Sequence, residues 1–222
     1  MRYIRWTSDR MFVSYCQYYL VGEDFLTVYD DTDTVSRIFD GNSLAAGGPE
    51  HLTVYAGTHT GWIRLTTEQR SDAPPPPGDA WETAVEVSIY STSGVMRLER
   101  WGGDSVEEAG NFASAGPGWY RVRVQTRGRD EGDAHEGDES SEEHFLSVWP
   151  APPEPDVVHR AADAFAGAHY DPARPPGRPI HPDDPVAFAD HSEYGGTPTP
   201  LTAAPDIVVL PSDDDRRPDD AS

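Results

Sequence analysis

Apolar and polar residues alternate in short, regular runs along about the first 150 positions of this chain. In residues 85–90, valine and isoleucine alternate with glutamate, serine and tyrosine. Because successive side chains of a β-strand point to opposite faces, this period of two predicts a half-buried strand. Similar runs, rich in β-branched and aromatic residues, lie at 11–21, 25–30, 50–57, 60–67, 81–92, 93–101, 118–128 and 144–149.

The close spacing of these runs, with no helical period between them, predicts an all-β domain over residues 1–155. We expect an antiparallel β-sandwich of the jelly-roll type with about eight strands. Runs 50–57 and 60–67 are expected to form a hairpin. The two runs on either side of Ser93 and Gly94 are expected to form another.

Residues 156–222 differ in composition from the domain before them, because they are rich in proline, polar and acidic residues. Such a tail has too little apolar surface to offset the entropy of ordering, so we predict that it is mostly disordered. Its alanine and apolar spacing predicts a short helix near residues 157–170. Residues 206–210 are the other candidate for order, as an added strand or a short linear motif.

The charge of the chain is strongly negative, with 39 acidic against 17 basic residues among 222 and a formal net charge of −22. Nucleic acids and anionic membranes attract basic surfaces, so we expect neither as a direct partner. A basic protein is the partner that this charge favours. The first residues lack the apolar stretch of a secretory signal, and no apolar run approaches a membrane helix of roughly 20 residues. We therefore expect a cytoplasmic protein.

Motifs for catalysis, nucleotide binding and metal binding are missing from the sequence. There is no G-x-S-x-G elbow, Walker loop or dinucleotide fingerprint. The eight histidines are scattered, and the single cysteine, Cys16, excludes an intramolecular disulfide and a multi-cysteine metal site. We therefore expect a protein that is not an enzyme and that has no cofactor and no metal.

The run 118–128 alternates arginine with large apolar residues. Arg121 and Arg123 fall on one face of the predicted strand, opposite Tyr120, Val122 and Val124. Two arginines alone make a poor platform for nucleic acid. We expect a solvent-exposed face on which the arginines pair with carboxylates of neighbouring strands.

An acidic segment, residues 130–143, connects the last two predicted strands. It has three interpretations. Charge runs are usually solvated, so the segment is interpreted first as an open, mobile hairpin loop. A calcium site is the second, although the segment lacks the residue order of an EF-hand loop. The third is a carboxylate surface that docks on the positive groove of a nucleic-acid enzyme. Its carboxylates belong to Asp130, Glu131, Asp133, Glu136, Asp138, Glu139, Glu142 and Glu143.

Several short segments resemble a known family in their order and approximate spacing. They are Ser14, Tyr15 and Gln17 near the first strand, a strand pair turning at Gly94, and Gly118, Trp119 and Tyr120 late in the domain. In these features residues 10–150 are similar to the competence protein J family, whose members are described as inhibitors of the DNA-entry nuclease. The proline run at 74–77, the acidic segment and the tail lie outside the pattern of that family. The resemblance implies an inhibitor but identifies no inhibitory residues.

Charge and resemblance together predict a non-catalytic acidic binding protein of the nuclease-inhibitor or immunity type, with a basic protein as its partner. The acidic segment is the expected main contact, and Trp101 and Trp119 are the expected aromatic anchors. Two other functions stay open. One is a β-sandwich that binds a small molecule or carbohydrate through exposed aromatic rings, and the other is an adaptor that acts through its proline-rich tail.

Overall fold

The computed structural model describes residues 3–23, 31–133 and 141–184. Strands dominate this part of the chain, as the alternating pattern predicts. They are β1 (Tyr3–Ser14), β2 (Gln17–Gly22), β3 (Ala45–Gly48), β4 (His51–Tyr55), β5 (Thr60–Arg70), β6 (Thr83–Ser91), β7 (Met96–Arg100), β8 (Gly118–Arg127), β9 (Glu143–Pro150) and β10 (Val157–Ala161). The helices of the described residues are α1 (Asp31–Phe39), α2 (Arg129–Asp133) and α3 (Ala164–His169), with a 3-10 turn at Glu107–Ala109.

Within the described residues, the strands form one curled sheet in the order β10-β6-β8-β9-β5-β1-β2-β4-β3, and β7 pairs with β2 beside this path. The pairs between named strands are antiparallel except β5–β9, which is parallel from Arg64 and Glu143 to Gln69 and Val148. The sheet is therefore mixed. The prediction of a mostly-β fold is confirmed, whereas the expected antiparallel jelly-roll of about eight strands is wrong. A period of two identifies a strand but carries no information about the direction of its neighbours.

Two hairpins expected between neighbouring runs do not form. Strand β4 pairs with β2 and β3, whereas β5 pairs with β1 and β9. Strand β6 pairs with β8 and β10, whereas β7 pairs with β2. After β4, the backbone amides of Gly57 and Thr58 donate to the side chain of Glu142 instead of closing a tight turn. Strands β8 and β9 do form the expected antiparallel pair around the acidic segment.

The run 11–21, which predicts a single strand, is interrupted by a turn. Strands β1 and β2 are antiparallel, with Ser14 opposite Gln17 and only Tyr15 and Cys16 between them. The run at 25–30 lies outside the described residues.

The curl of the sheet brings β3 against β6. Pro49 and Tyr90 form an isolated parallel bridge, and the amide of Glu50 donates to the carbonyl of Tyr90 at 2.7 Å. Gly47 permits this approach, because a Cβ atom there would lie 2.5 Å from the carbonyl oxygen of Ser88. Inside the curl lies an apolar core that includes Met11, Leu20, Leu52, Ile63, Val87, Val122 and Val148.

The arginine face of β8 is buried, which corrects the expectation of a solvent-exposed face. Arg121 and Arg123 are 2% and 5% exposed. Their guanidinium groups lie 3.4 Å and 2.6 Å from the carboxylate of Glu86 on β6. Arg123 also donates to the carbonyl of Pro75, and Arg121 donates to that of Glu154. The proline connection and the segment after β9 therefore cover this face, and both come from elsewhere in the sequence.

Past residue 155 the described chain continues the sheet. Strand β10 pairs antiparallel with β6, with Val157 opposite Glu86. A strand thus occupies the first part of the predicted helical region, and α3 lies in its second part. Residues 185–222 lie outside the described residues, so the predicted disorder of the tail stays a prediction there.

Among the described residues, no helix is both long enough and apolar enough to span a membrane.

Candidate partner-binding site

The last part of the acidic segment is fixed to the fold by Glu142. Its carboxylate accepts hydrogen bonds from the amide of Gly57 at 2.8 Å and from the amide and hydroxyl of Thr58, both at 2.7 Å. Nε2 of His144 lies 2.7 Å from the same carboxylate, and Nδ1 of His144 shares a 2.8 Å hydrogen bond with the hydroxyl of Tyr18. Glu142 is fully buried. Its carboxylate therefore stabilises the fold and is not accessible to a partner in this structure.

The environment of Glu142 explains how a carboxylate tolerates this burial. Burial raises its pKa, but the hydrogen bonds and charge of His144 and the hydrogen bonds of Thr58 outweigh that effect and lower the pKa below 4.5. The group is therefore ionised at neutral pH, and its lone pairs are taken up by donors of the loop after β4.

The first part of the acidic segment is fixed by Arg129, the residue that begins α2. Its guanidinium is buried, lies 3.2 Å from the carboxylate of Asp163 and donates to the carbonyl of Ser43 at 3.1 Å. Asp163 in turn caps α3 by accepting from the amide of Ala166 at 2.8 Å. Gly57 packs against the backbone of Arg129, where a Cβ atom would lie 2.0 Å from its carbonyl oxygen. Both ends of the segment thus meet the loop after β4.

Of the other predicted acidic contacts, three have described side chains. Asp130 and Glu131 are exposed. Asp130 also accepts from the amide of Ala164 at 2.9 Å, which attaches α2 to the start of α3. Glu143 is partly exposed and pairs with Arg127 at 2.8 Å. The side chain of Asp133 and all of Glu136, Asp138 and Glu139 lie outside the described residues.

Trp101, a predicted aromatic anchor, is 45% exposed and packs against Tyr15, with ring centroids 4.5 Å apart. Tyr15 is itself 54% exposed and also contacts the ring of His59 at 5.5 Å. The amide of Cys16 donates to the carbonyl of His59 at 3.0 Å. Because His59 follows the two residues that bind Glu142, this aromatic pair lies beside the anchored part of the acidic segment.

Trp119, the other predicted anchor, is half-buried in a different cluster. Its ring contacts Tyr90 edge-on at 5.2 Å and His181 at 5.8 Å. These neighbours belong to β6 and to the segment after α3, so Trp119 takes no part in the group formed by Tyr15 and Trp101.

A cleft of about 220 Å³ opens between the same loops and the start of α3. Its lining includes Cys16, Tyr55, Gly57, Arg129, Asp130 and Phe165. The rings of Tyr55 and Phe165 stack with centroids 5.2 Å apart, and the guanidinium of Arg129 lies 4.8 Å from the Phe165 ring centre. In the described part of the chain, no three His, Cys, Asp or Glu side chains are grouped so as to hold a metal ion.

Sequence reasoning missed the exposed ring of Tyr15 beside Trp101 and the structural role of Glu142. A signal existed for Tyr15, since it belongs to the Ser-Tyr-x-Gln motif of the family resemblance. Nothing in the sequence sets Glu142 apart from the seven other carboxylates of its segment.

No protein-family model and no curated protein sequence matches this chain. Two solved structures are similar to it. One, described as "Crocagin biosynthetic gene J", is 18% identical, with a TM-score of 0.43, covering 68% of this chain and 100% of its own. The other, described as "Crystal structure of ComJ, inhibitor of the DNA degrading activity of NucA, from Bacillus subtilis", is 16% identical, with a TM-score of 0.44 and the same two coverages. The name ComJ in the second description is that of the family which the sequence resembles.

Proposed function

We propose that this chain is a non-catalytic, acidic binding protein of the inhibitor type, and that its partner is a basic protein, with a nuclease as the partner class. The observation that carries the proposal is where the described ends of the acidic segment lie. Its two ends are fixed by buried Arg129 and Glu142, and the loop that receives them also supports the exposed Tyr15–Trp101 pair. The nuclease as partner class is what the family resemblance implies.

Anchoring of this kind suits recognition by charge. A carboxylate surface complementary to a positive groove accelerates encounter with the partner and excludes partners of the wrong sign. Fixing both ends of a charged segment before binding also reduces the entropy that association must overcome. The exposed carboxylates of Asp130 and Glu131 begin this surface, and the net charge of −22 supports attraction at longer range.

We assign binding, and not catalysis, to the surface formed by the acidic segment, the loop after β4 and the Tyr15–Trp101 pair. Glu142 and His144 are hydrogen-bonded to each other inside the fold, and Arg129 is paired with Asp163. These buried polar groups stabilise the loops on which the surface carboxylates and aromatic rings are presented.

The test is a DNA-degradation assay with purified NucA and increasing amounts of this protein at low ionic strength. We expect inhibition that saturates near one copy per nuclease and weakens as salt is added, because exposed charges are screened beyond about 10 Å at 0.1 M salt. Size-exclusion chromatography of the same mixtures should show a complex. Full nuclease activity, together with no complex at about 10 mM salt, would contradict the proposal.

A further inference from the structure

Two exposed aromatic rings in contact with each other are unusual on the described surface. Four large apolar side chains are exposed there, namely Ile4, Tyr15, Trp101 and Val157, and two of these pack together. The Tyr15 and Trp101 rings are inclined by 36° at a centroid separation of 4.5 Å. Exposed aromatic area of this kind marks interaction sites, because tyrosine and tryptophan dominate the energetic centres of protein interfaces.

The turn that carries Tyr15 has a backbone conformation that its residues disfavour. Tyr15 and Cys16 have φ angles of 52° and 60°, the left-handed values that a two-residue hairpin turn requires at both positions. Asn-Gly suits such a turn, whereas a bulky aromatic residue there is an outlier. Strained backbone of this type concentrates at functional sites. A turn built for stability alone would not present tyrosine at this position.

Trp101 also lies in a turn, and the space beside it is open. The amide of Arg100 donates to the carbonyl of Asp104 at 3.0 Å, which closes a turn containing Gly102 and Gly103. A Cβ atom on either glycine would meet nothing within 4 Å. Asp104 is exposed at the end of this turn. A partner side chain can therefore reach the exposed tryptophan ring, and the exposed carboxylate of Asp104 lies three positions further along the same turn.

We propose that the Tyr15–Trp101 pair is the anchor point of the partner interface and receives an arginine side chain of the basic partner. This inference rests on the proposed function and names the contact that the acidic segment alone does not provide. Arginine fits better than lysine because its planar guanidinium stacks on aromatic faces and still donates to a carboxylate such as Asp104. Trp119, which packs against Tyr90 and His181, is not part of the anchor.

The first experiment measures inhibition of NucA by Y15N, W101A and W119A, each made in the full chain. We expect Y15N and W101A each to weaken inhibition about 30-fold, the loss typical of a central aromatic contact. W119A is the matched control and should stay within about threefold of the parent. Because asparagine adopts left-handed φ readily, Y15N should unfold at the same temperature as the parent or a higher one. Parent-like inhibition by both Y15N and W101A would overturn the inference and leave the proposed function standing.

The second experiment does not depend on the nuclease. Titration of the ¹⁵N-labelled protein with a hexa-arginine peptide should shift the indole signal of Trp101 more than that of Trp119, and hexa-lysine at the same concentration should have a smaller effect. Equal shifts of the two indole signals, or equal effects of the two peptides, would contradict the arginine contact. Selective shifts of Trp101 without inhibition of NucA would support the arginine contact and contradict the nuclease as partner.

Discussion

Nε2 of His144 lies 2.7 Å from Oε1 of Glu142, and both side chains are fully buried. This contact joins β9 to the loop after β4, because the same carboxylate also binds the amides of Gly57 and Thr58. Through it, the end of the acidic segment becomes part of the core. Its removal should therefore affect the whole fold as well as the segment.

Replacement of Glu142 by glutamine should destabilise the protein by about 3 kcal/mol, because buried donors lose a charged acceptor. Urea unfolding at pH 7 measures this change. E143Q is the matched control, since Glu143 is partly exposed and pairs with Arg127 at the surface, and it should cost less than about 1 kcal/mol. Equal effects of the two variants would contradict the structural role of Glu142.

The pair of Glu142 and His144 also predicts how the stability of the protein depends on pH. The pKa of Glu142 is lower in the folded state than its ordinary value of 4.5. Its contribution to the free energy of unfolding is therefore present above pH 4.5 and is lost as the pH falls through the folded-state pKa. The difference in unfolding free energy between parent and E142Q should therefore shrink as the pH is lowered below 4.5. A difference that stays constant down to acid denaturation would show that ionisation of Glu142 is not involved.

The contribution of Asp156 to stability should depend on pH in the opposite direction to that of Glu142. Burial raises its pKa from 3.8 to about 6, against the lowering effects of Asn42, Arg37 and Arg121. Its contribution is therefore fully present below pH 3.8 and is lost as pH rises through 6. D156N keeps an oxygen that can accept from Asn42 and carries no charge. It should exceed the parent in stability by up to about 3 kcal/mol at pH 8 and match it near pH 4, as measured by urea unfolding. A variant less stable than the parent at pH 8 would contradict this.

Glu86 should control the attachment of β10. Its carboxylate lies 2.6 Å from Arg123 and 2.9 Å from His159 of β10. In E86Q both buried arginines of β8 lose their anionic partner, which should lower the free energy of unfolding by about 3 kcal/mol. Amide hydrogen exchange in β10 should become faster. D79N is the control, because the pair of Asp79 and Arg160 is exposed. Protection of β10 amides that is unchanged in E86Q would refute this role.

The exposed acids at the start of the acidic segment should control the rate of association with the partner. D130N combined with E131Q should slow binding to NucA about three- to tenfold at low salt, with a smaller effect at high salt. Stopped-flow fluorescence measures this rate.

The control for that prediction is D72N combined with E154Q, which changes the net charge equally. Both side chains are exposed, Asp72 follows β5 at the end that lies about 30 Å along the strand from Thr60, and Glu154 follows the same end of the parallel strand β9. The control should keep the parental rate within about twofold. Equal slowing by both double variants would mean that overall charge acts without a defined surface.

The sequence by itself determined that the fold is mostly β and that β8 pairs with β9, but it predicted no strand at β3 or β10. Alternation of apolar and polar residues located β6, β8 and β9, and the acidic residues between the last two marked the connection around which these two strands pair. Local periodicity is sufficient for this, because each strand needs only one apolar face. The expectation of a solvent-exposed arginine face on β8 was wrong because Pro75 and Glu154 cover it, and neither is a sequence neighbour of Arg121 or Arg123.

Only the tertiary structure decided the other strand pairings, which carboxylates are buried and which aromatic rings meet. Glu142 and Glu143 are adjacent and chemically alike, yet one lies in the core and the other faces Arg127. Tyr15 and Trp101 are 86 positions apart in the sequence and meet at the tips of two turns. These outcomes depend on contacts between distant segments, and the free energy of such contacts leaves no periodic signal in the residues that make them.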